Sequence, residues 1–317
     1  MKKLCAAIMG LTVLCSCSIN KMAIGAISDA LTGDGNSTTF TGDDDPELVA
    51  DAIPFAIKLY ETLLAQNPNH QGLILTTGSL FVMYANAFIQ GPAKMLDAAQ
   101  QEEQQQAYDR AKRLYLRGTA ILYSGLDKKY PGFSEARGES LEAMLAKTKK
   151  EDVGLLYWAA AGTLSAYSFN VMDPEFMIRL SDCLKMVDRA YSLDPDFNKG
   201  AIDDLYVLLY AALPETNGGD KERAQKHFDI SLKKSEGLLA GPYVTYAESL
   251  CIPAQDYETF TVQLEKALAI DPNADESNRL TNIINQRKAR YLLNNAPRYF
   301  YFIDDSGMED FDWSEFE

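Results

Sequence analysis

The chain has 317 residues, of which 47% are hydrophobic, 10% aromatic and 24% charged. That composition excludes a collagen-like or wholly disordered chain and is apolar enough to bury a core. A formal charge of −15 argues against wrapping nucleic acid, whose phosphates need a cationic face. Two histidines leave little for metal catalysis or histidine-based proton transfer.

Lys2 and Lys3 precede an apolar run, Leu4 to Leu14, too short to cross a bilayer as a mature helix. The run ends Leu14-Cys15-Ser16-Cys17-Ser18. This resembles a bacterial lipobox, with an aliphatic residue three before the modified cysteine and a small one directly before it. Cys17 meets both conditions. Cys15 does not, because Leu14 would stand directly before it. We therefore expect residues 1–16 to be a lipoprotein signal peptide and Cys17 to carry the lipid. An ordinary signal peptide with a stray cysteine is the alternative. Several acyl chains anchor firmly where one is marginal. Ser18 replaces the Asp of the inner-membrane retention signal. The resemblance thus implies a periplasmic protein anchored by lipid to the outer membrane. Residues 17–45, rich in Gly, Ser, Thr and Asp, read as a lipid-anchored tether. Within it, Met22 to Leu31 has the pattern of a short amphipathic helix.

From Pro46 the pattern is helical almost without interruption, and residues 46–297 read as one helical domain. Asp45 suits an N-cap, with Pro46 and Glu47 in the first turn. Ala107, Ala111, Leu114, Tyr115, Gly118, Ile121 and Leu122 fall on one helical face, which Gly125 and Pro131-Gly132 should end. Further helices are predicted near 54–66, 73–90, 135–149, 152–170, 175–192, 197–212, 220–238, 243–251, 256–269 and 274–294. Breakers stand between them, among them Asn67-Pro68, Gly91-Pro92, Asp194-Pro195, Gly241-Pro242 and Asp271-Pro272. The uncharged stretch Gly72 to Ala93 reads as a buried core helix rather than a membrane span. Ala159-Ala160-Ala161-Gly162 offers a smooth face for close packing. Only Tyr299 to Ile303 has any strand character, so the fold class is all-α.

Three strings end alike: Leu63-Leu64-Ala65-Gln66-Asn67-Pro68, Ala190-Tyr191-Ser192-Leu193-Asp194-Pro195 and Ala267-Leu268-Ala269-Ile270-Asp271-Pro272. This resembles the second helix of a tetratricopeptide (TPR) repeat, where a proline blocks continuation and the next helix folds back. The prolines are unevenly spaced, so we expect irregular TPR-like helical hairpins stacked into a bundle or short superhelix. A generic helical bundle with Asp-Pro stops is the alternative. Asp43-Asp44-Asp45-Pro46-Glu47-Leu48-Val49-Ala50-Asp51-Ala52-Ile53-Pro54 continues to Leu64 in a block that, with Asn67-Pro68 and the Gly72–Gln90 helix, resembles the TatT component of TRAP-type (tripartite ATP-independent periplasmic) transport systems. The resemblance covers nearly the whole mature chain. It implies a helical periplasmic lipoprotein, a trimer pierced by pores, and a TRAP-type periplasmic solute-binding protein as partner. It also implies a hydrophobic or organic-acid ligand that passes between them. A TPR-like scaffold lipoprotein for envelope assembly, without a small-molecule ligand, is the rival function, and a periplasmic enzyme is a third.

No Gly-x-Ser-x-Gly, P-loop, His-Glu-x-x-His or, in the mature chain, Cys-x-x-Cys motif is present, and neither catalytic residues nor a cofactor or metal are expected. His70 beside a turn and His227 in a charged helix read as solvated. Cys183 and Cys251 read as two buried thiols, although an oxidising compartment permits a disulfide. The better candidate is a binding surface for a partner or ligand. Lys199, Asp203, Tyr206 and Tyr210 share one face of a helix, with Leu205, Leu208, Leu209 and Ala212 expected in the core behind it. Tyr243 and Tyr246 would continue that surface one hairpin later. Tyrosines that merely fill the edge of the core are the competing reading. Residues 298–317 form an acidic aromatic tail. Asp304, Asp305, Glu309, Asp310, Asp312, Glu315 and Glu317 alternate with Phe311, Trp313 and Phe316. The stretch reads either as a frayed end or as a linear motif that docks on a partner or neighbouring subunit.

Overall fold

Proline chemistry sets the helix ends. In a computed structural model describing residues 38–169, 174–213 and 215–301, the first long helix, α1 (Pro46–Gln66), starts at Pro46 and stops before Asn67-Pro68. Helix α6 (Pro174–Leu193) likewise stops before Asp194-Pro195. Cys17, the segment Met22–Leu31 and the acidic residues after Tyr301 lie outside the described residues. The described chain is helical throughout, without a strand, and Tyr299–Tyr301 form none. Contacts divide the chain into two units. One comprises residues 47–194, and the other comprises 40–46 together with the chain from Pro195 on.

In the first unit, α1 is followed by α2 (Gln71–Tyr84), a π-helical turn (Ala85–Gln90) and one more helical turn (Gly91–Lys94). Gly91-Pro92 therefore does not end this helix, as its sequence suggested. The Gly91 N–H bonds back to the Asn86 carbonyl, and the proline falls where its missing N–H costs little. The path Gln71–Lys94 is long and apolar enough to cross a membrane, yet 61% of its most apolar window is buried inside the protein. The long α3 (Gln101–Lys129) packs on α2 and on α5 (Val153–Tyr167), and α5 packs on α6. A shorter α4 (Gly138–Leu145) occupies part of the predicted 135–149 helix. Leu73, Ile74, Tyr115, Leu122, Leu126 and Leu156 are wholly buried. Each such side chain contributes about 1.5–3 kcal/mol through burial.

Gly125 was expected to help end α3, but the helix runs through it. A Cβ there would stand 2.7 Å from Ile74 Cγ2, so the glycine admits a neighbour rather than a turn. At the α2–α3 crossing, a Cβ on Gly118 would lie 2.7 Å from the Gly78 carbonyl oxygen, and one on Gly78 would lie 2.4 Å from Leu122 Cγ. Ala159, Ala160 and Gly162 form the smooth face expected of them, with Gly162 against Thr119 and Val82.

The second unit contains α7 (Ala201–Ala212), α8 (Lys221–Lys234), α9 (Gly241–Tyr246), α10 (Tyr257–Leu268) and α11 (Arg279–Asn294). Helix α9 also runs into a π turn (Ala247–Cys251) followed by Ile252–Ala254. Its core draws Val244, Cys251, Phe260, Leu264, Leu292 and Phe300 together. Two buried amides on α11 satisfy backbone groups that helix ends leave open. Asn282 accepts from the Ala240 N–H at 2.9 Å and donates to the Leu238 carbonyl at 2.9 Å. Gln286 donates to the carbonyls of Ala267 and Ile270 at 3.1 and 2.7 Å. Arg279 donates to the Gly42 carbonyl at 2.8 Å and ties the chain before α1 to this unit. Cys183 and Cys251 are both buried and free.

Candidate functional site

Helix α7 has no polar face. Its one buried face runs round from Leu209 and Ile202 through Tyr206, Tyr210 and Asp203 to Val207. The face expected to be a binding surface is therefore turned inward: Asp203 is 0%, Tyr206 4% and Tyr210 8% exposed. Leu208, expected in the core, is 46% exposed, and Ala212 is exposed too. The reason is a set of partners on α8. Asp203 Oδ1 lies 2.8 Å from His227 Nδ1, and Oδ2 accepts from Lys234 Nζ at 2.7 Å. Lys234 also donates to the Pro195 carbonyl at 2.5 Å. A buried carboxylate is tolerated when cations and hydrogen bonds surround it in this way.

The tyrosines complete a stack. The Tyr206 and Tyr210 rings lie 5.3 Å apart at 11°. The His227 ring is 4.6 Å from Tyr206, and the Arg223 guanidinium is 4.1 Å from the Tyr210 ring centre. His227, read as solvated, is only 12% exposed in its side chain. His70 accepts from the Leu73 N–H at 3.0 Å and caps α2.

The other expected members go elsewhere. Lys199 does not join Asp203, because Gly200 at φ 97° breaks the helix before Ala201. Instead Lys199 donates to Asp275 at 2.5 Å and to Ser277 Oγ at 3.1 Å. Hydrogen bonds from Lys199 and Ser277 hold the Asp275 carboxyl down at about 2. Tyr243 and Tyr246 pack on Phe228, with ring centres 5.9 and 4.4 Å away, and the Tyr246 hydroxyl donates to Gln225 at 2.5 Å.

Next to Asp203, Asp204 faces α9. Its Oδ2 accepts from Thr245 Oγ1 at 3.3 Å, while Oδ1 is buried without a hydrogen-bond partner. Burial pushes its carboxyl up to about 6, against the Thr245 bond and the charge of Lys288. Among the described residues, no three of His, Cys, Asp and Glu converge as metal ligands would.

The first unit holds an open cleft that sequence reading missed. Phe88 and Ile89 of the π turn, Pro92, Ala93, Leu96, Ala107 and Arg110 enclose about 260 Å³. Gln90, at the end of the π turn, accepts from the Tyr115 hydroxyl at 2.6 Å, and burial pushes that phenol up to about 12. No local residue signal announces a π turn; the only mark is Gly91-Pro92 lying inside a helical pattern. The same unit carries a closed polar knot. Burial would raise the Asp152 carboxyl, but Lys129, the Tyr130 hydroxyl at 2.6 Å and the Lys149 N–H at 2.8 Å hold it below its ordinary value.

The family model described as "TRAP transporter T-component" matches residues 42–300. An uncharacterised protein of Treponema pallidum (strain Nichols) is 35% identical over 315 residues, which cover 94% of this chain and 98% of that one. The match takes in both helical units from just before Pro46 to Phe300, so the whole described body, and not one hairpin of it, is shared. The chain belongs to the family of TRAP transporter T-components.

Proposed function

We propose that the protein is the periplasmic lipoprotein partner of a TRAP-type solute-binding protein. It docks that protein and conducts the solute, a hydrophobic molecule or organic acid, toward the inner-membrane transporter. The observation that carries this reading is the family match over 42–300, which spans both units. Three features support it. The Leu14-Cys15-Ser16-Cys17 run fits lipid attachment at Cys17 and an outer-membrane anchor. The described residues are all-helical, as the resemblance implies. The apolar cleft closed by one arginine suits an apolar body with an acidic group. The family is one of transport components, not of enzymes. We take the assembly to be a trimer, as the family resemblance implies.

Helix α7 enters this reading as a scaffold. Asp203, Tyr206 and Tyr210 hold α8 in place, and Lys199, Tyr243 and Tyr246 lie at the edges where a partner can reach. The test is affinity purification from detergent-solubilised envelope, with identification of the proteins and small molecules retained. Recovery of a TRAP-type solute-binding protein in stoichiometric amount is expected. Recovery of envelope-assembly factors in its place would overturn the proposal in favour of a scaffold.

A further inference from the structure

Helix α1 carries two apolar lines. Val49, Ile53 and Ile57 recur every fourth residue and are buried, so this line seats the helix in its unit. Leu48, Ala52, Phe55 and Leu59 follow one another at steps of four, three and four. They fall within about 60° of the helix circumference, about 130° round from the buried line. This second line faces outward. Leu48 is 58%, Phe55 74% and Leu59 42% exposed, and Ala52 is exposed too. No other helix among the described residues shows more than one exposed large apolar side chain. Single ones are ordinary on a protein surface, whereas a line at this spacing is what one helix presents to another.

The charges beside the line name its occupant. Asp51 and Lys58 border it on the same side, seven residues apart, and both are exposed. Lys58 bonds Glu61 at 2.8 Å, but Arg117 engages that carboxylate as well. Two α1 helices laid antiparallel about a two-fold axis set Leu48 against Leu59 and the large Phe55 against the small Ala52. The same register sets Asp51 of each copy beside Lys58 of the other, at both ends of the contact. Laid parallel, Asp51 would meet Asp51 and Lys58 would meet Lys58. A stripe that matches itself in shape and in charge in one orientation fits a second copy better than an unlike partner.

We propose that α1 is a self-association surface, on which a second copy of this chain lays its own α1 antiparallel in that register. Such a contact is isologous and joins copies two at a time. It is distinct from the threefold contact of the trimer taken above: this contact alone gives two chains, and the two contacts together give six. It does not depend on the docking role proposed above.

The test is native mass spectrometry of the full chain released from detergent. An assembly of two or six chains is expected. Phe55→Asp, at a position the core does not feel, should halve its mass and leave the circular dichroism spectrum unchanged. Asp51→Lys sets lysine against lysine at both ends and should weaken association about tenfold. Asp51→Lys combined with Lys58→Asp should restore it. A single chain, or any assembly whose mass Phe55→Asp leaves unchanged, would overturn the proposal and assign the stripe to another cover, such as the solute-binding protein or the chain's own first residues. A combined variant as weak as Asp51→Lys alone would overturn it too.

Discussion

Asp203 and Asp204 are neighbours with opposite fates. Asp203 is fully buried but paired with His227 and Lys234, so removing its charge strands two buried donors. Asp203→Leu should cost about 3–5 kcal/mol in chemical denaturation. Asp204 has one weak partner and an unbonded oxygen, and its carboxyl holds a proton more tightly folded than unfolded. Stability contributed at Asp204 is therefore complete below about pH 4 and lost as pH rises through about 6. Asp204→Asn, which keeps a group for Thr245, should stabilise the protein at pH 7 by up to about 3 kcal/mol, less what solvent reaching the side chain already recovers. It should also flatten the pH profile of urea midpoints between pH 4 and 6. This contrast could not be read from the sequence. The partners of Asp203 stand 24 and 31 residues further on, and only packing brings them back. The tyrosine face was legible as a face, and tyrosines filling the edge of the core was one of its two readings; the choice between them needs the partners on α8, which the local sequence does not show.

At the scale of the element, what is local was legible. Asn67-Pro68 and Asp194-Pro195 stop their helices because proline lacks a donor and its ring displaces the preceding turn. The uncharged Gly72–Ala93 stretch was legible as core for an equally simple reason: a helix apolar all round has no side to give to water. Gly125 was misread because glycine has two uses, and only the position of Ile74 shows which applies. The same logic makes Gly118 a sharp test. Gly118→Ala puts a methyl group 2.7 Å from the Gly78 carbonyl oxygen, which is rigid backbone. Loss of about 1–3 kcal/mol is expected, with a lowered thermal midpoint. The surface substitution Ala120→Ser on the same helix should change little, since Ala120 is exposed.

For the molecule as a whole, we propose that Cys17 decides where the two units work. Cys17→Ala should leave the helical body intact and move the protein from the membrane to the soluble envelope fraction, as fractionation and circular dichroism would show. The cysteines among the described residues set a condition on how that body is made. Cys183 and Cys251 are shut away as thiols, and burial pushes each up to about 12, so the finished protein offers neither as a thiolate. A chain exported unfolded, as we propose, presents both sulfurs to the periplasmic thiol oxidases before it closes over them. Its yield becomes a race between collapse and wrongful cross-linking. A host strain lacking those oxidases should give as much folded protein as the wild type or more, whereas a secreted protein that depends on disulfides gives less.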